Sequence, residues 1–171
     1  MIPENQEGEA ARILVVDDEK LIRDLLCRML ECDEYEVLSA SSGPDALEIC
    51  RRSFGPIQLL VTDVQMPVMS GYELADRCAR LYPELSVLFV SGSIPDESMQ
   101  AALSVPSIAF LSKPIRPDVL RRQARAMLAS PALDRVTGGA SPRSADPGAR
   151  DNGRDQVLRQ AKFAIERPCC S

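Results

Sequence analysis

The chain contains no histidine and no tryptophan in 171 residues. Without an imidazole it has no Ser-His-Asp or Cys-His catalytic site, no histidine-ligated metal and no phosphohistidine donor of its own. Aromatic residues make up 4% of the sequence while 45% is hydrophobic, so the core must be aliphatic. A cationic surplus is also lacking: 20 Lys and Arg stand against 25 Asp and Glu, a net charge of −5 that argues against a duplex nucleic-acid surface. No apolar run approaches the ~20 residues of a membrane-spanning helix. The opening Met-Ile-Pro-Glu-Asn-Gln-Glu-Gly-Glu is acidic and polar, unlike a signal peptide. The expectation is a cytoplasmic protein with neither a nucleic-acid nor a membrane partner. Six cysteines, at 27, 32, 50, 78, 169 and 170, include no CxxC spacing, so reduced thiols are expected. Cys50 and Cys78 fall on apolar helical stripes and read as core filler. Nothing near the adjacent Cys169 and Cys170 supports metal binding or oxidation.

What is present is an alternation of short apolar runs and helical stripes. From position 59 the chain reads Leu-Leu-Val-Thr-Asp-Val-Gln-Met-Pro-Val-Met-Ser-Gly, an apolar run leading straight into Asp63. Such a run predicts a strand buried on both faces, as in parallel sheets. Ile13, Leu14, Val15 and Val16 predict a second, ending in Asp17, Asp18 and Glu19. Leu21, Ile22, Leu25, Leu26, Met29 and Leu30 then form one helical stripe, with Asp17 or Asp18 placed to cap the helix. Further strands are expected over 35–38, 87–90 and 108–111. Further helices are expected from Pro44 to about Ser53, over 72–81 with Leu74, Ala75, Cys78 and Leu81 inward, over about 95–103, and from Pro117 to about Leu128. Residues 1–11 read as a flexible leader and 12–129 as one domain. Residues 130–171, rich in Pro, Gly, Ser and Arg, read as a disordered tail with a possible short helix at 156–166.

Five strands alternating with five helices at short spacing predict an α/β fold, a doubly wound parallel sheet with helices on both faces. Four of the strands hand over to Asp17-Asp18, Asp63, Ser91 and Lys113 at their C-terminal ends. In a parallel sheet those ends meet at one rim, where α/β folds hold their ligands. Three carboxylates there repel one another and raise at least one pKa unless a cation intervenes. Mg2+ suits such a site because it takes one or two carboxylates, keeps several waters and bridges to phosphate. An acyl phosphate on Asp63 would find its oxygens held by that ion, by Lys113 and by the Ser91 hydroxyl. Alone, Asp63 reads as a turn cap and Lys113 as half of a surface ion pair; together they read as a site.

From about Arg12 to Ala129 the chain resembles the receiver domain of two-component response regulators, of the CheY-like type. The matching motifs are Ile-Leu-Val-Val-Asp-Asp-Glu, Thr-Asp-Val-Gln-Met-Pro-Val-Met-Ser-Gly, Val-Ser-Gly after the fourth strand, and Phe-Leu-Ser-Lys-Pro. The resemblance implies a flavodoxin-like (βα)5 sheet with strand order 2-1-3-4-5. It implies that Asp63 is the phosphoacceptor of a phosphorelay, charged by a sensor histidine kinase or a phosphotransfer protein. Asp17, Asp18, Asp63 and the backbone carbonyl of Gln65 would hold Mg2+, with Asp18 the closer of the acidic pair. The Gln65 side chain would tune how long the phosphate lasts. Ser91 would be the switch hydroxyl, Lys113 the phosphate partner, and Phe110 the aromatic that swings between outward and inward rotamers. A downstream protein target would meet the face formed by the helix at 95–103, the fifth strand and the last helix. The implied function is a phosphorylation-dependent switch whose only catalysis is its own phosphotransfer and dephosphorylation.

The chain departs from the family in having Pro106-Ser107 where Gly-Ala is common, which affects the shape of the output face rather than the chemistry. Phe110 also lacks the hydroxyl of a Tyr and would report phosphorylation by packing alone. A phosphohydrolase of the haloacid-dehalogenase kind is disfavoured, because Asp17-Asp18-Glu19 lacks the Asp-x-Asp spacing. A degenerate scaffold would be expected to lack a rim group, and none is missing.

Overall fold

The computed structural model describes residues 10–93, 100 and 103–129. Five strands, β1 (Arg12–Val16), β2 (Glu36–Ala40), β3 (Leu59–Asp63), β4 (Ser86–Ser91) and β5 (Ile108–Ser112), form one sheet in the order β2-β1-β3-β4-β5. Every pairing is parallel. The described helices are α1 (Lys20–Leu30), α2 (Gly43–Arg52), α3 (Gly71–Leu81) and, last in the chain, α4 (Pro117–Ala129). The helix expected at 95–103 falls largely on undescribed residues; Leu103 lies in a turn. Residues 1–9 of the expected leader at 1–11, and the tail at 130–171 with its possible helix, also lie outside the described residues.

Strand alternation divides the core into two layers. Leu14, Val16, Leu60, Val87 and Phe89 face α2 and α3, while Ile13, Val15, Leu59, Val61, Leu88 and Val90 face α1 and α4. β3 lies at the centre of the sheet and is buried along its whole length. β2 runs two residues beyond the expected end, because its parallel register with β1 continues to Val16↔Ala40 although Ser39 and Ala40 carry little apolar signal.

Two expectations about helix faces are corrected. Leu21 is 83% and Leu25 48% exposed, while Leu26, Met29 and Leu30 are buried. Leu21 and Leu25 sit about 100° round the helix from Ile22 and Leu26, at the margin of the stripe rather than its centre. Leu81, expected inward, is likewise exposed at the end of α3. The arginines of α4 have a structural use: Arg121 Nε donates to the Met29 carbonyl at the C-terminus of α1 (2.9 Å), and Arg125 pairs with Asp33 in the next turn.

The N-termini of α2 and α3 carry the caps that the sequence pattern suggests. Ser42 accepts from the Asp45 N–H and Ser70 from the Glu73 N–H, and Pro44 occupies the first turn of α2. Between β3 and α3 the backbone is tight. Gly71 N–H donates to the Val64 carbonyl, and a Cβ at Gly71 would stand 2.1 Å from the Asp63 carbonyl oxygen. Met69 N–H donates back to the Pro67 carbonyl (2.8 Å), closing a three-residue turn on Val68 at φ 70. That turn is strained for a β-branched residue, and Val68 is 91% exposed, so no packing offsets the strain.

Two substitutions test this junction by urea denaturation. Val68→Asn should stabilise the fold by about 1 kcal/mol, because Asn tolerates a positive φ. Gly71→Ala should destabilise it by about 2 kcal/mol, because backbone must shift to admit the methyl group.

Candidate functional site

Parallel strands end on one side of the sheet, and here the ends carry the polar groups. Asp17 follows β1 directly, and its N–H reaches the Ala40 carbonyl at the end of β2. Asp63 is the last residue of β3, opposite Val90; Ser91 is the last of β4, opposite Ser112; Lys113 follows β5. Asp17, Asp63 and Ser91 are all buried.

Lys113 Nζ lies 2.9 Å from Asp63 Oδ1 and 3.2 Å from Asp17 Oδ2, one ammonium shared by two carboxylates. The other oxygen of each carboxylate accepts a backbone N–H: Glu19 N–H to Asp17 Oδ1 at 2.8 Å, and Gln65 N–H to Asp63 Oδ2 at 2.7 Å. Ser91 Oγ accepts from the Ser93 N–H at 3.2 Å, which leaves its own proton to be donated elsewhere. Lys113 N–H donates to the Ser91 carbonyl, so the two strand ends are tied through the backbone (2.8 Å). The Lys113–Pro114 peptide bond is cis.

The structure thus joins Asp17, Asp63 and Lys113 directly and places Ser91 on the same rim. Asp18 is exposed, and among the described residues no three His, Cys, Asp or Glu side chains lie together in an arrangement that would hold a metal. Gln65 is exposed, while its N–H turns in to Asp63. Phe110 is half-buried on β5 and packs on the α2/α3 layer. The expected cap is corrected as well. Glu19 is the N-cap of α1 and makes no side-chain cap bond, because Asp17, the nearby buried acid, is already engaged by the Glu19 N–H and Lys113.

Two supporting residues were not anticipated. Arg23, on α1, donates to the Asp17 carbonyl at 2.6 Å and fixes the end of β1. Thr62 Oγ1, fully buried, donates to the Asp63 carbonyl at 3.0 Å. Arg23 looks in sequence like an ordinary exposed helix residue, and Thr62 like any β-branched strand residue.

The electrostatics follow from two acids meeting one base. Burial pushes the Asp17 carboxyl above its usual range, against the Glu19 N–H and the Lys113 charge; the neighbouring Asp63 adds only a minor upward push. Mutual repulsion, expected to lead, is therefore secondary to desolvation. Burial works to lower the Lys113 pKa, but its hydrogen bond to Asp63 and the charges of Asp17 and Asp63 outweigh it, and the ammonium is held above its ordinary value. As to a metal, Asp17 and Asp63 bring two hard carboxylate donors to one rim, where one oxygen of each meets the Lys113 ammonium and the other a backbone N–H. Mg2+ needs only one or two such groups besides water, so the donor set fits even without a three-carboxylate cage.

The sequence profile of the response regulator receiver domain matches residues 13–125. The chain is 34% identical over 121 residues to the transcriptional regulatory protein YvrH of Bacillus subtilis, a match covering 70% of this chain and 50% of that protein. It is 33% identical over 119 residues to the sensor kinase CckA of Brucella abortus, covering 70% of this chain and 13% of the kinase. The chain therefore spans half or less of these relatives. A crystal structure of the chemotaxis protein CheY4 of Vibrio cholerae superposes with a TM-score of 0.63 at 28% identity, covering 70% of this chain and 100% of that one.

The burial of Asp17 makes a pH-dependent prediction for the metal-free protein. A carboxyl whose folded pKa is raised binds more protons folded than unfolded, so its contribution to stability falls as pH rises from 3.8 through the folded value. Asp17→Asn keeps an acceptor for the Glu19 N–H without the charge. It should stabilise the protein by about 1 kcal/mol at neutral pH. Thermal melts in chelator should show that gain shrinking as pH falls towards 3.8; a gain independent of pH would contradict the assignment.

Proposed function

The chain belongs to the response regulator receiver family of two-component systems, and from that premise we propose that Asp63 accepts a phosphoryl group from a partner's phosphohistidine and that the product alters protein–protein contacts. The observation that carries this reading is the contact of Lys113 with both Asp63 and Asp17 at buried strand ends. These 171 residues contain no histidine, so the donor lies outside them.

Each group then has a task. Gln65 N–H holds Asp63 Oδ2 and so fixes the plane of the carboxylate. Asp63 attacks phosphorus in line; the new O–P bond forms as the N–P bond of the phosphohistidine breaks, and the imidazole leaves with the bonding pair. Lys113, already within hydrogen-bond distance of Asp63, transfers its donation to the phosphoryl oxygens as charge builds on them. The Ser91 hydroxyl donates to another of those oxygens, drawing the loop after β4 towards the site. Asp17, Asp18, Asp63 and the Gln65 carbonyl are the groups that would hold Mg2+, which when bound supplies further neutralisation of the phosphoryl oxygens. Asp18, exposed at the mouth, is where such an ion would keep its water.

The response is carried by Phe110. Movement of the Ser91 loop opens room for its ring, and the surface carried by β5 and α4 changes its preference for a target protein. The helix expected at 95–103, the third element of the expected target face, falls largely outside the described residues. Any change in target binding is limited to the differential affinity for the two states.

Incubation with acetyl phosphate and Mg2+ should add the mass of one phosphoryl group, and Asp63→Asn should abolish it while the fold survives. Lys113→Ala should slow labelling by roughly 100-fold. Labelling that persists in Asp63→Asn, or its absence from the wild type, would overturn the proposal.

A further inference from the structure

Away from the rim, two buried thiols face each other where α2 crosses α3. Cys50 and Cys78 are 5% and 1% exposed, and their sulfurs are 3.7 Å apart. Both are reduced. The surroundings bring the helices close: Ala46, Ala75 and Ala79 in the same buried cluster present only methyl groups. The Tyr82 hydroxyl, just past the end of α3, donates to the Cys50 carbonyl at 2.6 Å and pins that turn of α2. A disulfide bond is about 2.05 Å long. The sulfurs therefore need to approach by about 1.7 Å to bond.

We propose that Cys50 and Cys78 form an oxidisable dithiol that hydrogen peroxide closes to an intramolecular disulfide tying α2 to α3. The two sulfurs are not equivalent. The contact between the two sulfurs favours the Cys50 thiolate against the effect of burial, whereas that contact and burial together push the Cys78 thiol up. Cys50 is also the more exposed of the pair. Cys50 sulfur attacks one peroxide oxygen, the O–O bond breaks, and the departing hydroxide takes the Cys50 proton, leaving a sulfenic acid and water. Cys78 sulfur then attacks Cys50 sulfur. The S–O bond breaks, hydroxide leaves with the Cys78 proton as a second water, and the S–S bond is formed. Two thiols are oxidised by two electrons and one peroxide is reduced to two waters.

None of the groups at the Asp63 rim takes part, so this inference stands apart from the phosphoacceptor reading. Its link to that region is mechanical: α3, which carries Cys78, begins at Gly71 against the Asp63 carbonyl.

The test treats the reduced full-length protein with equimolar hydrogen peroxide, blocks remaining thiols with an alkylating agent under denaturing conditions, and maps the peptides. A Cys50–Cys78 bridged peptide is expected in roughly tenfold or greater excess over the amount formed in urea, where the helices no longer hold the sulfurs together. Recovery of Cys50 and Cys78 as alkylated thiols while exposed Cys32 is oxidised would overturn the proposal, as would equal bridging in urea. A second experiment reads the order of attack: Cys78→Ser should leave a sulfenic acid on Cys50 that dimedone traps, and Cys50→Ser should leave Cys78 unlabelled. Dimedone labelling of Cys78 alone would overturn the assigned roles. The wild-type map decides the existence of the bridge should either variant fail to fold.

Discussion

One ammonium between two buried carboxylates is the constraint around which the rim is built. Lys113 meets Asp63 and Asp17 at the ends of three different strands, and that meeting requires all three to run parallel and in register. It satisfies the lysine better than it satisfies the acids. Lys113 is held above its ordinary pKa by two partners, whereas Asp17 is pushed upward by burial despite its share of the ammonium and a backbone N–H. Burying charge without full compensation costs stability. The formal excess of one negative charge leaves the rim receptive to a further cation. A phosphoryl group brings negative charge of its own, so the proposed uptake at Asp63 would strengthen that demand.

The geometry at Asp63 depends on the turn that follows it as much as on the strand. Gly71 lets α3 begin against the Asp63 carbonyl, and no side chain could occupy that space without moving backbone. The same turn forces Val68 to φ 70 while leaving it exposed. Strain at an exposed residue beside a candidate site, with no local packing to offset it, is what a loop shaped for function rather than stability would display. The buried sheet on either side holds it in place.

Much of this was legible in the sequence. Apolar runs identified the five strands, and acids, a serine and a lysine directly after them identified the rim, because in a parallel sheet those positions share one side. Three kinds of information were not. The width of the α1 stripe could not be read, because Leu21 and Leu25 differ from Leu26 only in angular position, and the neighbours that select the buried arc come from elsewhere in the chain. Arg23 and Thr62 carry backbone hydrogen bonds to the two acids, a role with no compositional signature. The pairing of Cys50 with Cys78 depends on how α2 crosses α3; each thiol was correctly expected in the core, but periodicity within one helix cannot say what faces it.

A chain with few aromatic residues places three of them in one layer beneath the rim. Phe89 pairs in register with Phe110 on one side and Thr62 on the other, and its ring lies 4.9 Å from that of Tyr72, tilted by 46°. These rings are not equally free. Phe89 is fully buried on an interior strand, and Tyr72 is wedged between α3 and the sheet. Phe110 is half-buried on β5, one of the two edge strands, with a sheet neighbour on one side only. Among the described residues, Phe110 is the least enclosed of these three rings. The backbone bond from the Lys113 N–H to the Ser91 carbonyl couples the end of that strand to the loop bearing the Ser91 hydroxyl. On the proposed reading, a displacement of Ser91 would be passed through main chain to the strand that carries Phe110, with no hydroxyl required at position 110.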